Sequence, residues 1–280
     1  MPSLPWIFVC PSSRGIGFHL TRHLLQTTTL PILATTRSKD LEAAKQALLS
    51  GLQHQQQHDE KPLSLTHRLT LTHLDVTHEP SIQQASLLAK SLFPPRTHHL
   101  HLSFAIPGIL TPEKSPSQID ASSSLAMFQV NVAGPLLLAK HFVEFMPRKA
   151  TIPDGDSLKK SQLPEHATWM FMSARVGSVT ENKLGGWYSY RASKAGVNSV
   201  AKSLDLMLGV RSGRRALAVA YHPGTVKTDF SKEFWGSAQA GRGLLEVEDA
   251  VGKMVEVVRG LDMEKGRGKC LDWRGEVVPP

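Results

Sequence analysis

Short blocks in which nearly every position is apolar alternate with longer stretches where apolar residues recur every three or four positions. The first pattern marks strands buried on both faces, the second amphipathic helices. "PWIFVC" (5–10) predicts a first strand, "PSSRGIG" (11–17) a turn and "FHLTRHLLQ" (18–26) a helix. "LPILATTR" (30–37) predicts strand two, followed by a helix over 38–52 with Ser38 as its N-cap. Strand three is expected over 67–77 and a helix over 80–93; strand four over 98–106 and a long helix over 120–147. Strand five covers 167–174, a helix runs from Tyr188 to Leu208, strand six covers 215–224 and a seventh strand 268–275. Residues 53–62 read as a polar Gln/His loop and 148–166 as a polar surface insertion. No internal repeat is present.

Strands alternating with helices of this length call for an α/β fold: a Rossmann-type, doubly wound, mostly parallel sheet of about seven strands in three layers, α/β/α. The whole chain, 1–280, is expected to form one domain. Such sheets bind ligands beyond the carboxyl ends of their strands. Composition narrows the partners. Hydrophobic residues make up 41% of the chain, enough for one substantial core, and no apolar run approaches the ~20 residues of a membrane helix. The formal net charge of +8 is scattered, forming no basic stripe, so an anionic small molecule is favoured over nucleic acid. Cys10 and Cys270 lie near opposite ends without metal-ligand spacing, which fits a reducing, cytoplasmic setting. His98, His99 and His101 read as a strand-edge cluster rather than a metal site, because no carboxylate or cysteine is near in sequence. The first 39 residues lack acids, as transit peptides do, but the same stretch already reads as the first strand, turn and helix.

The candidate chemistry collects at the predicted strand ends. The turn Ser12, Ser13, Arg14, Gly15, Ile16, Gly17 follows strand one and opens a helix; its glycines permit close backbone approach to a pyrophosphate, and the helix N-terminus offers free N–H groups. Pro11 removes one backbone donor there, leaving the serines to donate. Strand two ends in Thr36 and Arg37 with no acid for a ribose 2′-hydroxyl; with Arg14 nearby, the site suits the 2′-phosphate of NADP(H). The lesser alternative is that Arg37 only caps a surface loop. Tyr190 and Lys194 share one helix face at i and i+4, and no other tyrosine of this chain has a cation at that offset. An ammonium beside a phenol favours the phenolate, so Tyr190 is expected to exchange a proton with a carbonyl or alcohol oxygen while hydride moves.

The turn "CPSSRGIG" resembles the T-G-x-x-x-G-x-G turn of the short-chain dehydrogenase/reductase family, with Cys10 and Pro11 in place of Thr and Gly. "YSYRASKAGVNSVAKSL" (188–204) closely resembles that family's catalytic helix, and the stretch from Ser173 to Asn198 looks most like its branch of sniffer-type carbonyl reductases and C-factor-like proteins. The resemblance covers the chain from strand one to strand seven. It implies that Asn131 in "NVAGPLLLAK" breaks its helix and orients a water, that Lys140 is a cofactor contact, and that Tyr190 and Lys194 also touch the cofactor, Lys194 holding its ribose. It places Asp75 near the adenine, and Pro223, Val226 and Thr228 of "HPGTVKTDF" around the nicotinamide. Asp75 also reads as a turn former and helix cap, and Pro223-Gly224 as an ordinary turn.

The family's catalytic serine falls on Ala174; Ser173 is the first substitute considered, although strand alternation can turn it away, and Ser178 the second. The asparagine expected after strand four is missing from "AIPG" (105–108). Residues 229–247 are expected to form a substrate lid, with Phe230, Phe234, Trp235 and Trp187 as an apolar wall. The leading expectation is an NADP(H)-dependent oxidoreductase acting on a small-molecule ketone or aldehyde, as a possible homo-oligomer. The alternative is a catalytically weak or inactive NADP-binding regulatory protein. A serine hydrolase is set aside because no G-x-S-x-G occurs.

Overall fold

In the computed structural model, residues 1–52, 64–236 and 243–280 are described. The strands are β1 (Leu4–Cys10), β2 (Ile32–Thr36), β3 (Leu69–His73), β4 (His98–Ala105), β5 (Ala167–Met172), β6 (Ala216–His222), β7 (Thr225–Val226), β8 (Leu244–Leu245), β9 (Cys270–Asp272) and β10 (Val277–Val278). The helices are α1 (Gly15–Thr27), α2 (Leu41–Leu49), α3 (Leu65–Arg68), α4 (Glu79–Leu92), α5 (Ala121–Phe128), α6 (Gly134–Phe142), α7 (Gly155–Lys160), α8 (Tyr188–Ser212) and α9 (Val247–Arg259). Eight strands form the main sheet in the order β10-β9-β6-β5-β4-β1-β2-β3, and β7 pairs with β8 separately. All main-sheet pairs are parallel except β9–β10. The chain therefore has the expected doubly wound α/β/α fold, with the order reversing between β1 and β4, and one short antiparallel strand more than the seven expected.

Alternation along the strands builds the two cores. On β1, Trp6, Phe8 and Cys10 enter the layer with residues of α4, α6 and α8, while Ile7 and Val9 enter the layer with α1 and α9. The same split recurs on β6: Ala216, Ala218 and Ala220 face α8, and Leu217, Val219 and Tyr221 face the other way. A strand covered on both faces has no polar side to show, which is why these segments read as unbroken apolar runs.

Five expectations are corrected. Helix α2 starts three residues later than read, because Asp40, not Ser38, accepts the free Ala43 N–H at 2.9 Å; the Ser38 hydroxyl bonds within its own turn. The long helix over 120–147 is divided by a π turn at Gln129–Ala133, and it ends at Phe142, followed by a 3₁₀ turn. The stretch Ala121–Phe145 reaches a mean hydropathy of 1.2, long and apolar enough to cross a membrane by that measure alone, contrary to the sequence reading. Its Met127, Asn131, Leu138 and Phe142 are buried within the fold. The segment 148–166 is not a loose insertion: it carries α7, buries Leu158, and exchanges backbone hydrogen bonds with Ser3. Finally, the histidine cluster belongs to a central strand. His99 and His101 are buried, 3.3 Å apart, and among the described residues no group of three His, Cys, Asp or Glu could hold a metal ion. The Gln/His loop expected at 53–62, and residues 237–242 of the expected lid, lie outside the described residues.

Candidate active site

Four elements converge beyond the carboxyl ends of β4 and β5. Tyr190 and Lys194 stand on the first turns of α8, both buried. Gly177 lets the 3₁₀ turn after β5 rest on that helix: a Cβ there would meet the Lys194 backbone carbon at 2.8 Å. The Lys194 Nζ donates to the Met172 carbonyl at the end of β5, at 2.8 Å, and lies 5.6 Å from the Tyr190 ring centroid. Asn131 occupies the π turn, as the family resemblance implies; it is fully buried. Its side chain accepts from Ile109 N–H at 2.8 Å and donates to the Ile109 carbonyl and the Ser193 hydroxyl, each at 3.0 Å.

Gly108 marks the meeting point. A Cβ there would lie 3.7 Å from Lys194 Nζ, 3.8 Å from Asn131 Oδ1 and 4.0 Å from the Phe230 ring. Phe230 faces Tyr190 at 6.4 Å between centroids, and Trp187 faces Tyr190 at 6.1 Å and Phe234 at 4.8 Å. The expected apolar wall is thus formed by Trp187, Phe230 and Phe234. Trp235 instead donates to Ser231 within its own segment.

Burial governs the two titratable groups. It pushes the Tyr190 phenol above its ordinary value and lowers the Lys194 amine to about 7. The expectation that Lys194 lowers the Tyr190 pKa is therefore not met by the chain's own groups. The ammonium bonds a carbonyl rather than the phenolic oxygen, and exclusion of water disfavours both charged forms.

Neither substitute serine reaches Tyr190. Ser173 continues the β5 alternation towards α8, where its hydroxyl donates to Asn198 at 2.6 Å; Ser178 donates to the Pro280 carbonyl at 3.2 Å. Ala174 is the side chain that packs with Tyr190, together with Met127. Lys140 also leaves the site. Helix α6 buries Leu138, Ala139 and Phe142, which turns Lys140 outward onto Glu79 of α4 at 2.6 Å.

The first turn and the end of β2 enclose a cavity of about 200 Å³ lined by Ser12, Ser13, Phe18, Thr36, Ser38 and Asp40, among others. Gly15 adopts φ +52°, and a Cβ on Gly17 would strike the Pro11 carbonyl at 1.9 Å, so only glycine fits there. Helix α1 has no acid in its first turn and no side-chain cap, leaving its N–H groups available to an anion. Ser12 is not an available donor, since its hydroxyl and N–H both go to the Thr35 carbonyl at 2.8 Å. Ser13, Arg14 and Arg37 are exposed, whereas Ile16 packs inward. Asp75 forms the turn: its carboxylate accepts from the Thr77 N–H and hydroxyl. Burial raises its carboxyl, but the Thr77 bonds and the charges of Arg37 and His73 outweigh this and hold it below the usual range. The Arg37 charge therefore reaches Asp75 at this end of the site. Thr228 brings the segment after β6 over the first turn, its methyl 3.6 Å from where a Cβ on Gly15 would be; Val226 is buried beside it, and Pro223 ends β6. A larger cavity of about 740 Å³, lined by Lys253, Trp273 and Arg274 among others, lies at the β9–β10 edge and includes none of these residues.

No family model matches the chain. It resembles the carbonyl reductase Sniffer of D. melanogaster (TM-score 0.74, 21% identity, all of both chains covered). It also resembles the NADPH-bound carbonyl reductase from chicken fatty liver (TM-score 0.76, 23% identity, 99% of this chain and 100% of that one). The C-signal protein of Myxococcus xanthus is 30% identical over 161 residues, which cover 58% of this chain and 81% of that protein. With the doubly wound sheet, the Tyr190–Lys194 pair and that degree of identity, the chain belongs to the short-chain dehydrogenase/reductase family.

Proposed function

We propose that this chain is an NADP(H)-dependent oxidoreductase that interconverts a small-molecule ketone or aldehyde and its alcohol. The observation that carries the reading is the convergence of Lys194 and Asn131 on Gly108, with the Tyr190 ring 5.6 Å from Lys194 Nζ and facing the aromatic wall. The cofactor fits the glycine turn and the uncapped start of α1, and the exposed Arg14 and Arg37 would hold its 2′-phosphate. When bound, it supplies or accepts the hydride. Ser13 and the α1 N–H groups would hold its phosphates, and Pro223, Val226 and Thr228 would border its reactive end. Tyr190 passes the proton to the substrate oxygen, Lys194 would hold the cofactor's ribose, and Asn131, which bonds Ser193 and through it the Tyr190 carbonyl, would orient a water of the proton relay. Trp187, Phe230 and Phe234 line the carbonyl's side of the site with an apolar wall.

One observation favours a second reading, a weak or inactive NADP-binding protein. Ala174 stands where a polarising hydroxyl would sit, and neither Ser173 nor Ser178 replaces it. Fluorescence titration with NADPH and NADH, followed by NADPH oxidation against ketones, aldehydes and quinones, separates the two. The leading reading predicts tighter NADPH binding and turnover of at least one carbonyl. Tight binding without turnover in either direction favours the second, and no binding of either nucleotide refutes both.

A further inference from the structure

Glu113 is a buried carboxylate that the proposed chemistry does not use. It lies on the loop between β4 and α5, and only 2% of its surface is exposed. One carboxylate oxygen accepts from the Ser189 backbone N–H at 2.8 Å, the other from the Ser189 hydroxyl at 2.6 Å. Its backbone carbonyl accepts from the Trp187 N–H at 2.6 Å. Ser189 pairs in turn with Ser124 of α5, at 2.7 Å. One residue thus holds three groups at the very start of the helix that carries Tyr190.

That start needs an outside anchor. Gly185, Gly186 and Trp187 all adopt left-handed backbone, with φ of 65°, 66° and 51°. Such a conformation is uncommon for a bulky side chain and persists only where its surroundings enforce it. Trp187 caps α8 without a side-chain bond of its own. The positive end of the helix favours an anion, and Glu113 supplies one from 76 residues away. The Glu113 loop is also fixed at its other end, where Asn131 grips Ile109. The same short loop therefore ties the helix bearing Asn131 to the helix bearing Tyr190.

We propose that Glu113 is a positioning residue: by clamping residues 187–189 it sets where the Tyr190 hydroxyl and the Trp187 ring stand against the reacting carbonyl. This inference rests on the reading of Tyr190 as the proton-transferring group. A purely structural cap would lower the unfolding midpoint and leave the kcat/KM of the folded protein unchanged. A positioning role lowers kcat/KM for the carbonyl while NADPH affinity, which the first turn and the end of β2 supply, is retained.

The test compares wild type, Glu113→Gln and Ser189→Ala by thermal unfolding, NADPH titration and steady-state reduction of the carbonyl that wild type turns over fastest. A glutamine offers one acceptor oxygen to the two Ser189 donors. Glu113→Gln is expected to lose about tenfold or more in kcat/KM, of the order lost with a misplaced reacting group, with the NADPH Kd within about twofold of wild type. Ser189→Ala keeps the backbone bond and is expected to lose about threefold or more. Should Glu113→Gln not unfold cooperatively, Ser189→Ala carries the test. Values of kcat/KM equal to wild type in the folded variants would overturn this inference alone. A wild type that binds NADPH but reduces no carbonyl would overturn the reductase reading, and this inference with it.

Discussion

Replacing Lys194 by methionine should stabilise the protein near neutral pH while abolishing turnover. Lys194 is 1% exposed, and burial lowers its amine from 10.5 to about 7. The folded-state pKa is depressed, so between about pH 7 and 10.5 the unfolded chain binds a proton that the folded protein does not. Stability therefore rises with pH across that window, and the penalty for the buried amine is greatest below pH 7. Lowering the amine from 10.5 to about 7 costs about 5 kcal/mol at the acid limit, about 4 kcal/mol at pH 7 and about 2 kcal/mol at pH 9. Against this, methionine leaves the Met172 carbonyl without its 2.8 Å donor, a loss of about 2 kcal/mol. The net expectation is a Lys194→Met protein about 2 kcal/mol more stable than wild type at pH 7 and about equal to it at pH 9. Urea unfolding of both proteins at pH 6.5, 7, 8 and 9, with slope and midpoint fitted separately, reads this directly. A difference that stays flat with pH, or a wild type that is the more stable at pH 7, would refute the reasoning.

The buried histidines make the fold acid-sensitive. Burial lowers His99, His166 and His222 from 6.5 to about 4 and holds His101 well below 6.5, so stability is present above 6.5 and lost as pH falls towards 4. At pH 5 each separate site withdraws about 2 kcal/mol, less for the coupled His99–His101 pair, and an unchanged urea midpoint between pH 7 and pH 5 would contradict this. Gly177→Ala should destabilise by about 1–3 kcal/mol, because its Cβ meets Lys194 backbone and Cβ atoms at 2.8 and 2.9 Å; calorimetry showing no fall in Tm would contradict it. Arg37→Ala should weaken NADPH binding by about tenfold or more and leave NADH binding nearly unchanged; equal losses for the two nucleotides would place the 2′-phosphate elsewhere.

Much of the fold was legible because the sheet is covered on both faces. The run Trp6-Ile7-Phe8-Val9 has no polar position to mislead, and its alternate side chains feed the two cores. The Tyr190–Lys194 pair was legible because i and i+4 share a helix face whatever surrounds them. Asn131 was accessible only through family resemblance, since the π turn that holds it follows from packing rather than from local pattern. Lys140 misled because its neighbours in sequence do not reveal which face of α6 the sheet covers. Ser173 misled for the opposite reason: its parity was readable from β5, but the hydroxyl's commitment to Asn198 was not. The direction of the Tyr190 shift depends on burial, which a spacing of charges does not report. Glu113 went unread because its partner is 76 residues away and nothing near it in sequence calls for a carboxylate.

The central claim is that Tyr190 performs proton transfer to a carbonyl beside bound NADPH. NADPH oxidation by wild type and Tyr190→Phe, each saturated with the nucleotide and with the best carbonyl substrate, tests it most directly. Removing one hydroxyl leaves the ring packed against Trp187 and Phe230. The account predicts unchanged NADPH affinity and turnover reduced by about a hundredfold or more. A Tyr190→Phe protein that still reduces the carbonyl at near the wild-type rate would contradict it.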